Sequence, residues 1–208
     1  HDGAHRREVT AGILAKVETI GFSPSADWVV TYEPTTRRVT LAHERERVAE
    51  WTMTLPGAHN ATNAATALAL ATMLGADPAI AARSLGAFRG ADRRMQLLGV
   101  KRLGGEAGSA AGGAAAGGST SGGVRVFDDY GHHPTEVDVT LRALRESERP
   151  EERGGRLICV FQPHQHSRTR HLLEEFAQSF SMADVVIVPD IYFVRDSQEE
   201  RHKVTSAD

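Results

Sequence analysis

The back half of the chain alternates apolar runs with helical patterns, and this alternation restricts the fold more than any other feature. "VRVFDDY", "RLICVFQ" and "DVVIVPDIY" are near-continuous apolar stretches rich in β-branched and aromatic residues, the pattern of strands buried on both faces. Two helical stretches lie between them. One opens at Pro134 and sets Val137, Leu141 and Leu144 at helical spacing; the other places Leu173, Phe176, Ala177 and Phe180 on one face. The pattern predicts an α/β unit whose parallel sheet is covered on both faces. Ligands in such sheets bind beyond the carboxyl ends of the strands. Here those ends carry "DDYGHHP", "QPHQHSRTR" and "PDIY", so three chemically loaded loops are expected along one edge.

The front half reads differently. "KVETIGF", "DWVVTYE", "RRVTLAH" and "AEWTMTLP", between residues 17 and 56, are short strands separated by turn signals. From Ala61 to Leu74 the alanine-rich "ATNAATALALATML" is a helix apolar enough to be mostly buried, with Gly75 as its C-terminal stop. Asp77-Pro78 is an N-cap followed by proline at the first helical position, which opens a second helix running to about Phe88. Residues 104–123 are low-complexity Gly, Ala and Ser, expected to form a flexible surface insertion.

Charge and composition exclude several classes. A net charge of -3 with acids and bases interspersed gives no footprint for a nucleic-acid backbone, whereas a small anionic ligand needs only a local cluster. Cys159 is the only cysteine and sits inside "RLICVF", the setting of a buried, inert thiol. No apolar stretch approaches the roughly 20 residues of a membrane helix, and the N-terminus lacks a signal pattern, so the expected location is the cytoplasm, without a membrane partner. The chain starts "HDGAHRR" without methionine and stops at "VTSAD", where Thr205 or Ser206 would cap a helix; it reads as a piece of a longer protein.

The densest chemistry lies in "DDYGHHPTE". Pro134 suits the first helical position, which puts His132 and His133 where backbone N–H groups point out of the helix as a ready anion site. Gly131 permits a tight turn or close approach, and Asp128 and Asp129 can accept hydrogen bonds from a sugar or hold a cation. Asp129 and His133 can equally serve as helix caps. In "PHQHSRTR", Arg168 offers a planar fork for a carboxylate or phosphate; Arg170, two residues on, cannot share its helical face. Neither His132-His133 nor His164-x-His166 has zinc-site spacing, and no G-x-S-x-G nucleophile elbow occurs. In "LPGAHNATNAATALA", Asn60 and Asn63 are three apart at a helix start; their amides can read a purine edge, or simply cap the helix.

Together these segments resemble the Mur ligases, the ATP-dependent amide-forming enzymes of peptidoglycan synthesis. "PGAHNATNAATALA" is similar to their G-x-H-N-x-x-N stretch, "FRGADRR" to the arginine hinge between central and C-terminal domains, and "DDYGHHPTE" with "FQPHQHSRT" to the member that joins L-alanine to UDP-N-acetylmuramate. The resemblance runs from about Ile20 to Tyr192, apart from the Gly/Ala insertion. It implies that residues 1–91 are the end of a central ATP-binding domain and residues 92–208 most of a Rossmann-like C-terminal domain, truncated. It also implies ATP and Mg2+ as cofactors, with UDP-N-acetylmuramate and L-alanine as partners. Asn60 and Asn63 would contact adenine, Arg94 the nucleotide phosphates and Asp129 the ribose. His132 and Arg168 would hold the L-alanine carboxylate, with Tyr130 beside them. Gln165 stands where the family usually has a basic residue, and His166 where tyrosine is common. No G-x-x-G-K-[ST] phosphate loop occurs in the chain, so the segment alone is expected not to catalyse ligation. A non-catalytic nucleotide- or amino-acid-binding module is the alternative.

Overall fold

The computed structural model describes residues 6–102 and 123–207, and the expected Gly/Ala/Ser insertion lies outside them up to residue 122. The chain divides into two compact units, residues 1–90 and 91–208. Among the described residues no helix is long and apolar enough to cross a membrane.

The first unit opens with a short helix, Arg6–Thr10 (α1), followed by strands Ile20–Gly21 (β1), Trp28–Glu33 (β2), Arg38–His43 (β3) and Glu46–Thr52 (β4). They form one sheet in the order β1-β2-β3-β4, with β1 parallel to β2 and the other pairs antiparallel. Two helices follow, Ala58–Met73 (α2) and Pro78–Ala87 (α3). Period-2 alternation turns Trp28, Val30, Val39, Leu41, Ala49 and Trp51 to one face of the sheet, where they pack against Ala61, Ala65, Leu68 and Ala69 of α2 and Ala82 of α3. Small alanine side chains let the helix lie close on that face. The expected burial of most of α2 is corrected: Leu70, Met73 and Leu74 are exposed, because the sheet and α3 cover one stripe only. The helix stops as its sequence dictates, at Gly75 with φ +88°, whose N–H donates to Thr72 O. Asp77 caps α3, its Oδ1 accepting from the Ala79 and Ile80 amides at 2.7 and 3.3 Å.

In the second unit, strands Gln96–Arg102 (β5) and Gly123–Asp128 (β6) form an antiparallel ladder. Helix Pro134–Glu148 (α4) precedes strand Ile158–Val160 (β7); helices His166–His171 (α5) and Leu173–Ser179 (α6) then lead to strand Val185–Ile187 (β8), which runs parallel to β7. Three sequence expectations change here. The "VRVFDDY" strand pairs antiparallel with β5 rather than with the parallel pair. The partner was hard to read because "QLLGVKR" lacks β alternation: the register shifts between Leu97 and Gly99, leaving Leu98 exposed.

Secondly, the parallel sheet is covered on one face. Cys159 and Phe161 pack with Val137 and Leu141 of α4 and Phe176 of α6, while Ile158 and Val160 are 52% and 65% exposed. The continuous apolar run thus does not mean two covered faces here, since the described helices supply one layer. Thirdly, the helix expected to carry Leu173 to Phe180 is present as α6, separated from α5 at Leu172 (φ -118°), but these residues do not share one buried face. Phe176 and Phe180 pack inward with Leu172, and Leu173 and Ala177 face out. Val137, Leu141 and Leu144 are buried as their spacing predicts.

Candidate functional site

The turn between β6 and α4 is built on the first residues of the unit. Arg93 and Met95 both have left-handed backbones, with φ of 57° and 47°. Non-glycine residues adopt this region at a cost and hold it only when their surroundings demand it. The surroundings are the "DDYGHH" turn. Met95 packs its side chain against Ala143 and Leu144 of α4, and its N–H donates to Asp129 Oδ2 at 2.8 Å. The Tyr130 N–H donates to Arg93 O at 2.7 Å, and the Arg93 guanidinium lies 4.8 Å over the Tyr130 ring. Arg93 Nε also lies 3.4 Å from Asp128 Oδ2.

Asp129 closes the turn on its other side, its Oδ1 accepting from the Gly131 amide at 2.7 Å. Gly131 is needed for this approach: a Cβ there would sit 2.8 Å from that same oxygen. The close contact is with the protein's own carboxylate. Asp129 therefore ties two backbone amides instead of capping α4; a sugar hydroxyl would use its remaining lone pairs.

His133 does cap the helix. Its Nδ1 accepts from the Thr135 amide at 3.4 Å, and Glu136, three residues on, completes a capping box. Glu136 Oε2 accepts from the His132 and His133 amides at 2.9 and 3.2 Å. The expected open anion site at this helix end is accordingly corrected, because the protein's own carboxylate fills it. Glu136 Oε1 meanwhile accepts from Arg94 Nη1 at 3.2 Å. Burial pushes the Glu136 carboxyl up, but the His132 amide and the Arg94 side chain outweigh it and hold the group below the usual carboxylate range.

His132 is half-buried. Its Nδ1 lies 3.3 Å from Tyr130 O and 3.5 Å from Glu136 Oε2, and its ring meets the Tyr130 ring edge-on at 5.5 Å. Two oxygen acceptors around Nδ1 favour the hydrogen on that nitrogen. Arg94, Asp129, Tyr130 and His132 are thus gathered in one cluster. Sequence reasoning missed Glu136, Arg93 and Met95 as parts of it; the spacing of Glu136 from His133 was the available signal.

Arg168 belongs to a second cluster. The parallel ladder of β7 and β8 continues to a bridge between His164 and Tyr192, so the "QPHQH" and "PDIY" loops lie side by side as expected. The His164 and Tyr192 rings are 5.1 Å apart. Gln165 holds a left-handed backbone (φ 68°), donates its N–H to Tyr192 O at 3.2 Å and starts α5. Arg168 is half-buried and donates from Nη2 to His164 O at 2.9 Å, while Arg170 is exposed. His166 is buried, with Nδ1 3.9 Å from Asp196 Oδ2; Asp196 also accepts from Ser167 Oγ at 2.6 Å. Among the described residues no hydrogen bond, ion pair or ring contact joins Tyr130 or His132 to Arg168. Cys159 packs in the core, where burial raises its thiol pKa, so it offers no reactive thiolate.

In the first unit, Asn60 and Asn63 lie in the opening turns of α2, whose N-cap is Gly57 rather than an asparagine. The Gly57 N–H donates to Tyr32 Oη at 3.0 Å, which anchors the helix start to β2. Asn60 Nδ2 donates to Pro56 O at 2.8 Å, and Asn63 is exposed.

Comparison with known proteins adds independent findings. Residues 117–206 match the family described as Mur ligase, glutamate ligase domain. The UDP-N-acetylmuramate–L-alanine ligase of Desulforamulus reducens is 36% identical over 190 residues, covering 89% of this chain and 36% of that protein. The UDP-N-acetylmuramate–L-alanine ligase of Kineococcus radiotolerans is 43% identical over 150 residues, covering 72% of this chain and 27% of that protein. The chain thus spans about a third of the length of such relatives. The crystal structure of UDP-N-acetylmuramate-alanine ligase from Thermotoga maritima superposes with a TM-score of 0.60 at 24% identity, covering 84% of this chain and 34% of that one. At that identity the likeness establishes the fold.

Proposed function

The chain belongs to the Mur ligases, and on that premise we propose that it is part of a cytoplasmic, ATP-dependent ligase joining L-alanine to UDP-N-acetylmuramate in peptidoglycan synthesis. Residues 1–91 are then the end of the central ATP-binding domain and residues 92–208 most of the C-terminal domain. The observation that carries this reading is the clasp of Arg94, Asp129, Tyr130 and His132 on one strand-end turn.

In this reaction the muramate carboxylate is phosphorylated by ATP with release of ADP. The L-alanine amine attacks the acyl phosphate, and the tetrahedral intermediate expels phosphate. Mg2+, when bound, would neutralise phosphate charge; among the described residues no group of three His, Cys, Asp or Glu side chains is placed to hold it. Positioning and charge stabilisation are what the residues of this chain contribute. Asn60 and Asn63, nearly one helical turn apart, present carboxamides to adenine. Arg94 offers its guanidinium to the nucleotide phosphates, and Asp129 its remaining lone pairs to the ribose. His132, its Nδ1 held between Tyr130 O and Glu136, and Arg168, pinned by His164 O, hold the L-alanine carboxylate, with the exposed Tyr130 ring beside them.

The phosphate-cradling loop, absent from this sequence, is supplied elsewhere in the ligase, so the segment alone does not ligate. In the full-length enzyme, His132→Ala is expected to raise KM for L-alanine at least about tenfold more than KM for ATP, the scale of one lost hydrogen bond to a charged group. Equal effects on both substrates, or none, would remove the assignment.

A further inference from the structure

A capping glutamate needs one oxygen for the amides of the helix start. Glu136 uses both. Oε2 holds the His132 and His133 amides and lies 3.5 Å from His132 Nδ1, while Oε1 accepts from Arg94, which is 42 residues earlier in the chain. A cap alone does not account for the second arm. Four side chains close into a ring: Arg94 on Glu136, Glu136 on His132, His132 edge-on to Tyr130 at 5.5 Å, and the Arg94 guanidinium 5.9 Å over the Tyr130 ring. Side chains in contact within one network are the ones whose substitutions couple rather than add.

We propose that Glu136 is a positioning residue for the ligation, one carboxylate that sets Arg94 and His132 together and so couples the nucleotide arm of the site to its amino-acid arm. The proposal rests on the roles assigned above. Glu136 touches neither substrate in this scheme. It fixes the guanidinium through one oxygen and, through the other, the turn and ring orientation of His132. Filling of one arm then stiffens the partner on which the other depends.

The test is steady-state kinetics on the full-length ligase with ATP and L-alanine varied separately. Glu136→Gln keeps the side-chain size and one oxygen for the helix-start amides but removes the charge shared by Arg94 and His132. KM for ATP and KM for L-alanine are expected to rise together, each about tenfold, the scale of one lost charge-assisted hydrogen bond. Arg94→Met leaves the cap untouched. It is expected to raise KM for L-alanine as well as KM for ATP, and adding Glu136→Gln to it should change neither much further. Unchanged KM values in Glu136→Gln would reduce the residue to a helix cap, and effects of the two variants that multiply would deny the coupling. Should Glu136→Gln fail to fold, Arg94→Met decides alone: a rise in both KM values supports the coupling, and a rise confined to ATP overturns it. Failure of the underlying roles looks different. If His132→Ala left KM for L-alanine unchanged and Arg94→Met left KM for ATP unchanged, both the coupling and the reading beneath it would fall. Normal responses in those variants with an inert Glu136→Gln would overturn the coupling alone.

Discussion

Replacing Asp129 with alanine separates what this carboxylate does for the fold from anything it does for a ligand. Its two oxygens accept from the Met95 and Gly131 amides at 2.8 and 2.7 Å, both partly buried. A hydrogen bond to a charged group contributes about 1.5–3 kcal/mol, so two would give roughly 3–6 kcal/mol if nothing replaced them. Water reaches part-buried amides after truncation and recovers some of that, which leaves an expected loss of about 2–3 kcal/mol. The left-handed residues Arg93 and Met95 depend on the same clamp, so the loss should be local as well as global. At about 4 °C per kcal/mol for a unit slightly over a hundred residues, the melting transition of residues 91–208 should fall by about 8–12 °C. Circular dichroism on the chain gives the midpoint, and amide exchange at Met95 and Gly131 gives the location. An unchanged midpoint with unchanged protection at both amides would refute the clamp.

Further outcomes follow from the same contacts. Gly131→Ala puts a Cβ 2.8 Å from Asp129 Oδ1 and should destabilise in the same direction by about 1–2 kcal/mol, read by urea titration. Leu68→Ala, in the core of the first unit with no exposed surface, should lower the stability of that unit by about 2–5 kcal/mol in the same assay. The Glu136 carboxyl is held below its ordinary value, so the stability it contributes is fully present above about pH 4.5 and is lost as pH falls through its folded pKa. Glu136→Gln should therefore flatten stability against pH below about 4.5 and leave the neutral-pH slope unchanged. The isolated chain, supplied with ATP, L-alanine and UDP-N-acetylmuramate, should release no phosphate in a coupled assay.

Local signals in the sequence carried much of this molecule. Asp77-Pro78 specified the start of α3 because a carboxylate at the N-cap and proline at the first position act within three residues. Val137, Leu141 and Leu144 gave the buried face of α4 for the same reason, since helical spacing is a local property. Tyr130 and His132 meet because they are two residues apart in one turn, whereas the approach of Arg94 to them was not legible, and the motifs had grouped them with Arg168, which bonds His164 O instead. Pairing was less legible. Whether "VRVF" joins a parallel or an antiparallel neighbour depends on β5, a strand with a glycine and a register shift. The one-sided burial of β7 was equally hidden, because an apolar residue looks the same in sequence whether its face is covered or open. Glu136 was missed for a different reason: its local spacing signals a cap, and its second role appears only when Arg94 is brought to it across the fold.

The most direct measurement is product analysis with the full-length protein that carries this segment, incubated with ATP, Mg2+, UDP-N-acetylmuramate and a panel of single amino acids. The expected result is ADP, phosphate and a UDP-N-acetylmuramoyl amide of L-alanine, formed in equal amounts and only when all three substrates are present. Ligation of a different amino acid in preference to L-alanine, or ATP hydrolysis without amide formation, would contradict it.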